Sequence, residues 1–293
     1  MTTESAKIAY AKEAVQILEP YKARFEKELE EAFTRFGPEN QVKEAMKYAL
    51  RSQGKRFRPA LVYMIADALQ PDCDVTPAAL AVEYFHTASL IADDLPCMDN
   101  DDFRRGVPTT HKVYGDATAL LASYALIASG FEEIARNKSA SDSVNRIAVL
   151  EAAKQMGNIG LIGGQCLDLV PKGVTKDDII EIMQMKTVAL FDLALSLGWL
   201  FGGGDASKID LVHKMSFHFG IAFQILDDLD DRQKDSDANR VVNYANLFGT
   251  DEAVNAVQEH IKQLFSCLEA LNISSKSFEK LSLGLKAFAK QFG

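Results

Sequence analysis

Along most of this chain apolar residues return at intervals of three and four, the spacing of one helix face; strand-like alternation is rare. The windows Ala119 to Phe131 and Val188 to Phe201 are apolar nearly all round and predict buried helices. Glu13 to Phe36 sets an apolar stripe against charged positions and predicts an amphipathic helix, kinked or broken at Pro20. Breaks fall at Gly37-Pro38, Gln70 to Pro77, Asn137 to Ser143, Pro171 to Thr175, Gly202 to Ser207 and Gln233 to Arg240. Asp72 to Pro77 and Ser141-Asp142 supply N-cap chemistry for the helices after them. All eight prolines lie at or before Pro171, so the rest of the chain can run as a long helical array. With no Gly/Ser linker, repeat or low-complexity tract, one all-α domain over residues 1–293 is expected.

Bulk properties narrow the function. A net charge of −9 argues against nucleic acid as a partner, because phosphate backbones are held by a surplus of Lys and Arg. Cys73, Cys97, Cys166 and Cys267 show neither CxxC pairing nor zinc-like spacing, which points to reduced thiols in a cytosol. Met1 to Tyr10 lacks an apolar signal core, and no uncharged run approaches the roughly 20 residues of a membrane-spanning helix. A soluble cytoplasmic protein is expected.

Two acidic clusters carry the chemistry. The first is Asp93-Asp94-Leu95-Pro96-Cys97-Met98-Asp99, followed by Arg104-Arg105-Gly106; the second is Asp227-Asp228-Leu229-Asp230-Asp231, after the apolar run Ile221 to Leu226. One such cluster could be a solvated acidic face; two, each ending an apolar run, are harder to dismiss. Crowded carboxylates favour hard divalent cations, and with arginines and lysines nearby the matching guest is a polyphosphate carried on Mg2+. At about 100° per residue, Asp227 and Asp231 share a helix face with Asp228 beside them. Asp93 and Asp99 would point apart on an ideal helix, but Pro96 lets the chain turn back, placing Asp93 and Asp94 at a helix C-terminus with Asp99 folding over.

Other positions stay open on residue chemistry alone. Gly54-Lys55-Arg56-Phe57-Arg58-Pro59 is either a diphosphate site at a helix start or a solubilising loop. His86, two turns before Asp93, is a ligand or a satisfied core histidine. Lys186, beside Thr187 in an apolar segment, either snorkels or faces an anion. Gly163-Gly164-Gln165-Cys166-Leu167-Asp168 offers an inward amide and carboxylate, or only a place for close helix packing.

Taken in order (GKRFRP, the His86 helix, DDLPCMD, RRG, GGQCLD, KT and FQILDDLDD), these segments resemble the trans-isoprenyl diphosphate synthases, the farnesyl and geranylgeranyl diphosphate synthase type. The resemblance implies an all-α bundle of about a dozen helices around a deep central cavity, usually a homodimer. It implies Mg2+, three ions per active site with Mn2+ as a substitute, held by Asp93, Asp94 and Asp99 on one wall and by Asp227, Asp228 and more remotely Asp231 on the other. Arg104 and Lys186 would neutralise the allylic diphosphate. Lys55, Arg58, His86 and Arg105 match the isopentenyl diphosphate site, Thr187 and Gln224 match groups near the ionising carbon, and Gln165 and Asp168 match supports behind them.

In the family this chain resembles, product length follows from bulk ahead of the first acidic cluster. Ala88 and Ser89 are small, and Phe85 and Tyr84 lie one turn deeper; a turn rises about 5.4 Å, close to one isoprene unit. That favours geranylgeranyl diphosphate (C20). Farnesyl diphosphate (C15) stays open, because Leu121, Tyr124 or Leu126 on a facing helix could close the floor. The chain departs from the family pattern after Asp231, where the loop is shorter and its usual lysine has no clear counterpart; Lys234 or Arg240 could replace it. Gln53 also stands where a first glycine precedes Lys55 in relatives. The altered loop keeps a non-catalytic, regulatory subunit as a competing expectation, whereas a terpene cyclase would not need Lys55, Arg58 and His86.

Overall fold

The computed structural model describes residues 3–52, 54–69, 73–171, 173–237 and 242–292. Asp72, Gln53 and Arg240, each weighed above, lie outside them. The chain opens with α1 (Thr3–Ala32), a 3-10 turn (Phe33–Arg35), α2 (Gln41–Arg51), α3 (Phe57–Leu69) and α4 (Thr76–Asp93). A short hairpin, β1 (Phe103–Arg104) and β2 (Val107–Pro108), leads to α5 (Thr110–Tyr114), α6 (Asp116–Arg136), α7 (Asp142–Met156) and α8 (Leu161–Leu169). Then come α9 (Lys176–Met183), a π-helical turn (Gln184–Val188), α10 (Ala189–Phe201), a 3-10 turn (Ala206–Lys208) and α11 (Ile209–Asp230). The last elements are α12 (Arg232–Asp237), α13 (Tyr244–Phe248), α14 (Thr250–Leu271) and α15 (Lys276–Ala289). The expected all-α bundle is what forms.

Local chemistry sets the boundaries. The Ser141 hydroxyl caps α7 by accepting from the Val144 N–H, and Asp74 does the same for Thr76 at the start of α4, with Pro77 in the first turn. α10 is the axis of the bundle: every residue from Ala189 to Phe201 is buried, as a sequence apolar at all but Asp192 and Ser196 favours, with α3, α4, α7 and α11 around it. Buried apolar side chains from α1 through α15 join one connected core.

Two helix expectations need correcting. α1 runs through Pro20 without a break. Pro20 sits on the exposed side, where water can serve the carbonyl that loses its donor. The Ala119–Phe131 segment is helical but not buried all round: Leu120, Leu121 and Tyr124 are exposed, Tyr124 by 59%. Its other face (Ala119, Ala122, Ser123, Leu126, Gly130) packs on α4. Leu121 and Tyr124 therefore do not close a floor within one chain.

Candidate active site

The first acidic cluster ends α4. Asp93 is the last helical residue and Asp94 the C-cap; the turn at Pro96 brings the chain back, so that the Asp99 N–H donates to the Asp93 carbonyl at 2.9 Å. The second cluster ends α11, with Asp227 and Asp228 in the last turn and Asp231 at the C-cap. Asp99, Asp227, Asp228 and Asp231 all line one cavity of about 380 Å³, which Lys186, Thr187, Gln224 and Asp168 complete. Asp99 and the second cluster, some 130 positions apart in sequence, thus face a common space, while Asp93 and Asp94 do not line that cavity.

Lys186 and Thr187 lie in the π-helical turn and both reach that cavity, as the consecutive Asp227 and Asp228 do from regular helix. α8 lies directly against this turn because Gly164 has no side chain: a Cβ there would collide with the backbone of Lys186. Lys186 Nζ pairs with Asp168 of α8 at 2.5 Å. Thr187 Oγ1 donates to Gln224 Oε1 at 2.7 Å, and Gln224 Nε2 donates to Asp228 at 2.8 Å, forming one relay. Gln165 is half-buried with neither amide atom bonded.

A second cavity, about 470 Å³, collects Lys55, Arg58, His86 and Arg105, and Asp227 lines both. Its floor is aromatic: Arg58 lies over Phe191 at 4.7 Å, and Phe57 packs on Phe223 at 5.3 Å. Burial and the Arg105 charge lower Arg58 to a pKa of about 10; burial and the Arg58 and Arg105 charges hold His86 well below the ordinary histidine range. His86 is thus neutral, with Nε2 3.5 Å from Arg58. Three cations converging on one cavity suit an anion.

Arg56 does something else. Its guanidinium is buried, donating to Glu83 at 2.6 Å, Glu26 at 2.7 Å and the Leu50 carbonyl, so it ties the loop to α1 and α4. Glu83 was missed in the sequence, although a carboxylate inside the apolar stretch of α4, three residues before His86, was the signal. Asn243 and Tyr244 were missed too. The Tyr244 N–H donates to Asp228 at 2.7 Å, and the Asn243 amide joins the Asp228 carbonyl to Asp235.

Electrostatics bear on metal binding. Burial first, then Asp99 and Asp94, lift Asp93 to about 6 against the pull of Lys186 and Arg104. Burial lifts Asp228 to about 7 despite its two donors, and Asp227 rises through burial with Asp231 and Asp230 beside it. Asp94 is engaged by Arg104 at 2.5 Å. Among the described residues no group of three or more His, Cys, Asp or Glu side chains is arranged to hold a metal ion by itself. The donor set fits Mg2+ nonetheless, because that ion keeps several waters and is commonly held by one or two carboxylates plus substrate phosphates.

The chain-length positions divide. Ser89 is half-buried on the stripe of α4 that carries His86 and Asp93. Ala88 is buried, its carbonyl accepting from Ser123 of α6. Phe85 is buried one turn deeper, over Gly130 and edge-on to Phe131, while Tyr84 packs edge-on to Phe36 instead. After Asp231 the chain enters α12, where Lys234 is exposed and 3.9 Å from Asp231.

A helical bundle with carboxylates on facing walls and a cationic pocket beside them has the charge pattern of a polyphosphate-binding class of protein. Residues 39–242 match the polyprenyl synthetase family model, and the chain belongs to that family. It is 41% identical over 202 residues to geranylgeranyl pyrophosphate synthase 7, chloroplastic, of Arabidopsis thaliana, covering 67% of this chain and 58% of that protein. It is also 41% identical over 217 residues to that plant's heterodimeric geranylgeranyl pyrophosphate synthase large subunit 2, covering 72% and 57%. The chain thus spans less than three fifths of these relatives' length. A geranyltransferase from Legionella pneumophila has a similar structure (TM-score 0.79, 29% identity, 98% of both chains), as has an FPP/GFPP synthase from Zymomonas mobilis (0.74, 30%, 99% of both).

Proposed function

We propose that the protein, as a single catalytic domain, condenses isopentenyl diphosphate with allylic diphosphates and ends mainly at geranylgeranyl diphosphate. The observation that carries this reading is the pair of cavities sharing Asp227, one lined by carboxylates and Lys186, the other by Lys55, Arg58 and Arg105 around a neutral His86. The allylic diphosphate would lie in the first, against Lys186 and Arg104. Isopentenyl diphosphate would lie in the second, against Lys55, Arg58 and Arg105. Mg2+, three ions per site with Mn2+ as a substitute, would supply charge neutralisation to the departing diphosphate from Asp93, Asp99, Asp227 and Asp228. The Thr187 hydroxyl oxygen and the Gln224 carbonyl oxygen would steady positive charge on the ionised allylic carbon, and the apolar Ile182, Met183 and Val242 of the first cavity would help keep water away from it. The departed diphosphate would take the proton lost at the end, so no side-chain base is required.

The C20 end point is supported by the small Ala88 and Ser89 ahead of Asp93 and by the names of the plant relatives. Both acidic clusters are complete, which supports catalysis over a regulatory role. We also read the protein as a cytoplasmic homodimer; no described helix is long and apolar enough to cross a membrane. The uncovered face of α6 (Leu120, Leu121, Tyr124) supports the dimer.

The experiment is incubation of the purified protein with Mg2+, labelled isopentenyl diphosphate and, separately, the C5, C10 and C15 allylic diphosphates, with products sized after dephosphorylation. C20 is the expected end point. A C15 end point would keep the reaction and shorten the cavity. No condensation by folded, Mg2+-replete protein would defeat the transferase reading in favour of the subunit.

A further inference from the structure

Two separate segments carry the cations of the second cavity: the loop after α2, with Lys55 and Arg58, and the hairpin, with Arg105. The loop is bolted to its surroundings by buried Arg56. The hairpin has no such core. Its strands are two residues each, Phe103 and Val107 are exposed, and an isolated two-stranded ribbon is marginal in water. Its central residues, Arg105 and Gly106, both have positive φ (54° and 81°), as a two-residue hairpin turn of this kind requires. Arginine in that region is strained by about 1 kcal/mol or more, so something outside the turn must hold Arg105 there.

Tyr48 of α2 reaches across to do so. Its hydroxyl donates to the Pro108 carbonyl at 2.7 Å, and its ring packs edge-on to Tyr114 at 5.6 Å. Tyr48 lies six residues before Gly54, on the helix that delivers the cationic loop, and the Arg105 guanidinium rests directly on Gly54. One hydrogen bond therefore joins the two segments at their outer ends, and one guanidinium contact joins them at the cavity. Arg104 has a separate anchor in Asp94.

We propose that Tyr48 is a positioning residue: through Pro108 it sets Arg105 against Lys55 and Arg58, and so tunes the isopentenyl diphosphate cavity without touching substrate. This rests on the transferase reading above, and the test separates the two. Tyr48→Phe removes a single oxygen from a half-buried ring. Expected is an increase of about three- to tenfold in KM for isopentenyl diphosphate, the range one hydrogen bond supports. kcat, the allylic KM and Tm should stay near wild type. Lys112→Ala, which cuts the exposed Lys112–Asp102 pair of the same segment, is the control and should change none of them.

An isopentenyl KM within about twofold of wild type, an equal rise for both substrates, or the same effect from Lys112→Ala would each overturn the assignment while leaving the transferase standing. Wild-type protein that turns over no substrate defeats the transferase reading instead. Calorimetric titration with inorganic diphosphate then decides the role of Tyr48: weaker binding by Tyr48→Phe sustains it, and equal or absent binding in both proteins ends it.

Discussion

Arg56 and Arg58 stand two positions apart and do opposite jobs. Arg56 is fully neutralised by Glu26 and Glu83, so removing it would strand a buried carboxylate at about 3–5 kcal/mol, a folding defect. Arg58 has no described carboxylate partner, is desolvated, and faces the cavity. Sequence could mark the cluster but not divide it, because the partners come from helices far along the chain. The acidic motifs were legible for the converse reason: their geometry is set by helix phase and Pro96, both local. The same phase argument yields a substitution test. An aromatic at Ser89 would enter the stripe between His86 and Asp93, and Ser89→Phe should shorten the main product by one isoprene unit with Tm little changed. Ala88→Phe should shorten it too, but with a stability cost of about 1–3 kcal/mol, since that side chain is already enclosed. Product sizing and thermal melts check both; a C20 product from Ser89→Phe would remove this stripe from length control.

At the level of helices, the long amphipathic and apolar elements followed from periodicity, while the π-helical turn did not. It depends on one inserted residue whose effect appears only once α8 packs against it through Gly164. The segment after that turn is held by a cluster invisible to local pattern. His213 of α11 sits between Asp192 of α10, 2.8 Å from Nδ1, and Glu151 of α7, 3.3 Å from Nε2. Burial alone would lower its pKa, but the two carboxylates outweigh burial and raise it to about 10. An unfolded histidine titrates near 6.5. The folded state therefore keeps a proton that the unfolded chain releases, and the stability it contributes is full below about pH 6.5 and lost as pH rises through about 10. Tm should fall between pH 7 and 10 more steeply in wild type than in His213→Gln. Parallel slopes in thermal melts would show that the imidazolium does not clamp these helices.

For the whole molecule, the sequence indicated an all-α chain with facing acidic walls but left the outer surface unread, because apolar periodicity cannot say whether a second apolar face meets the same chain or another. α6 supplies that face, with Leu121 and Tyr124 exposed while its opposite side supports α4 and the first acidic cluster. Sedimentation should give twice the chain mass of 32.2 kDa, and Leu121→Glu with Tyr124→Glu should give the single mass with reduced turnover. A monomeric wild type would reassign the face. A last consequence belongs to the carboxylate common to both cavities. Because Asp227 is a wall of each, occupancy of one changes the field in the other, and thermodynamic linkage makes that influence mutual. Whatever factor the first ligand imposes on the dissociation constant of the second, the second returns to the first. Under the proposed assignment the two saturation curves shift together by that one factor, so a dissociation constant measured for either ligand alone carries over to the doubly occupied protein only where the factor is one.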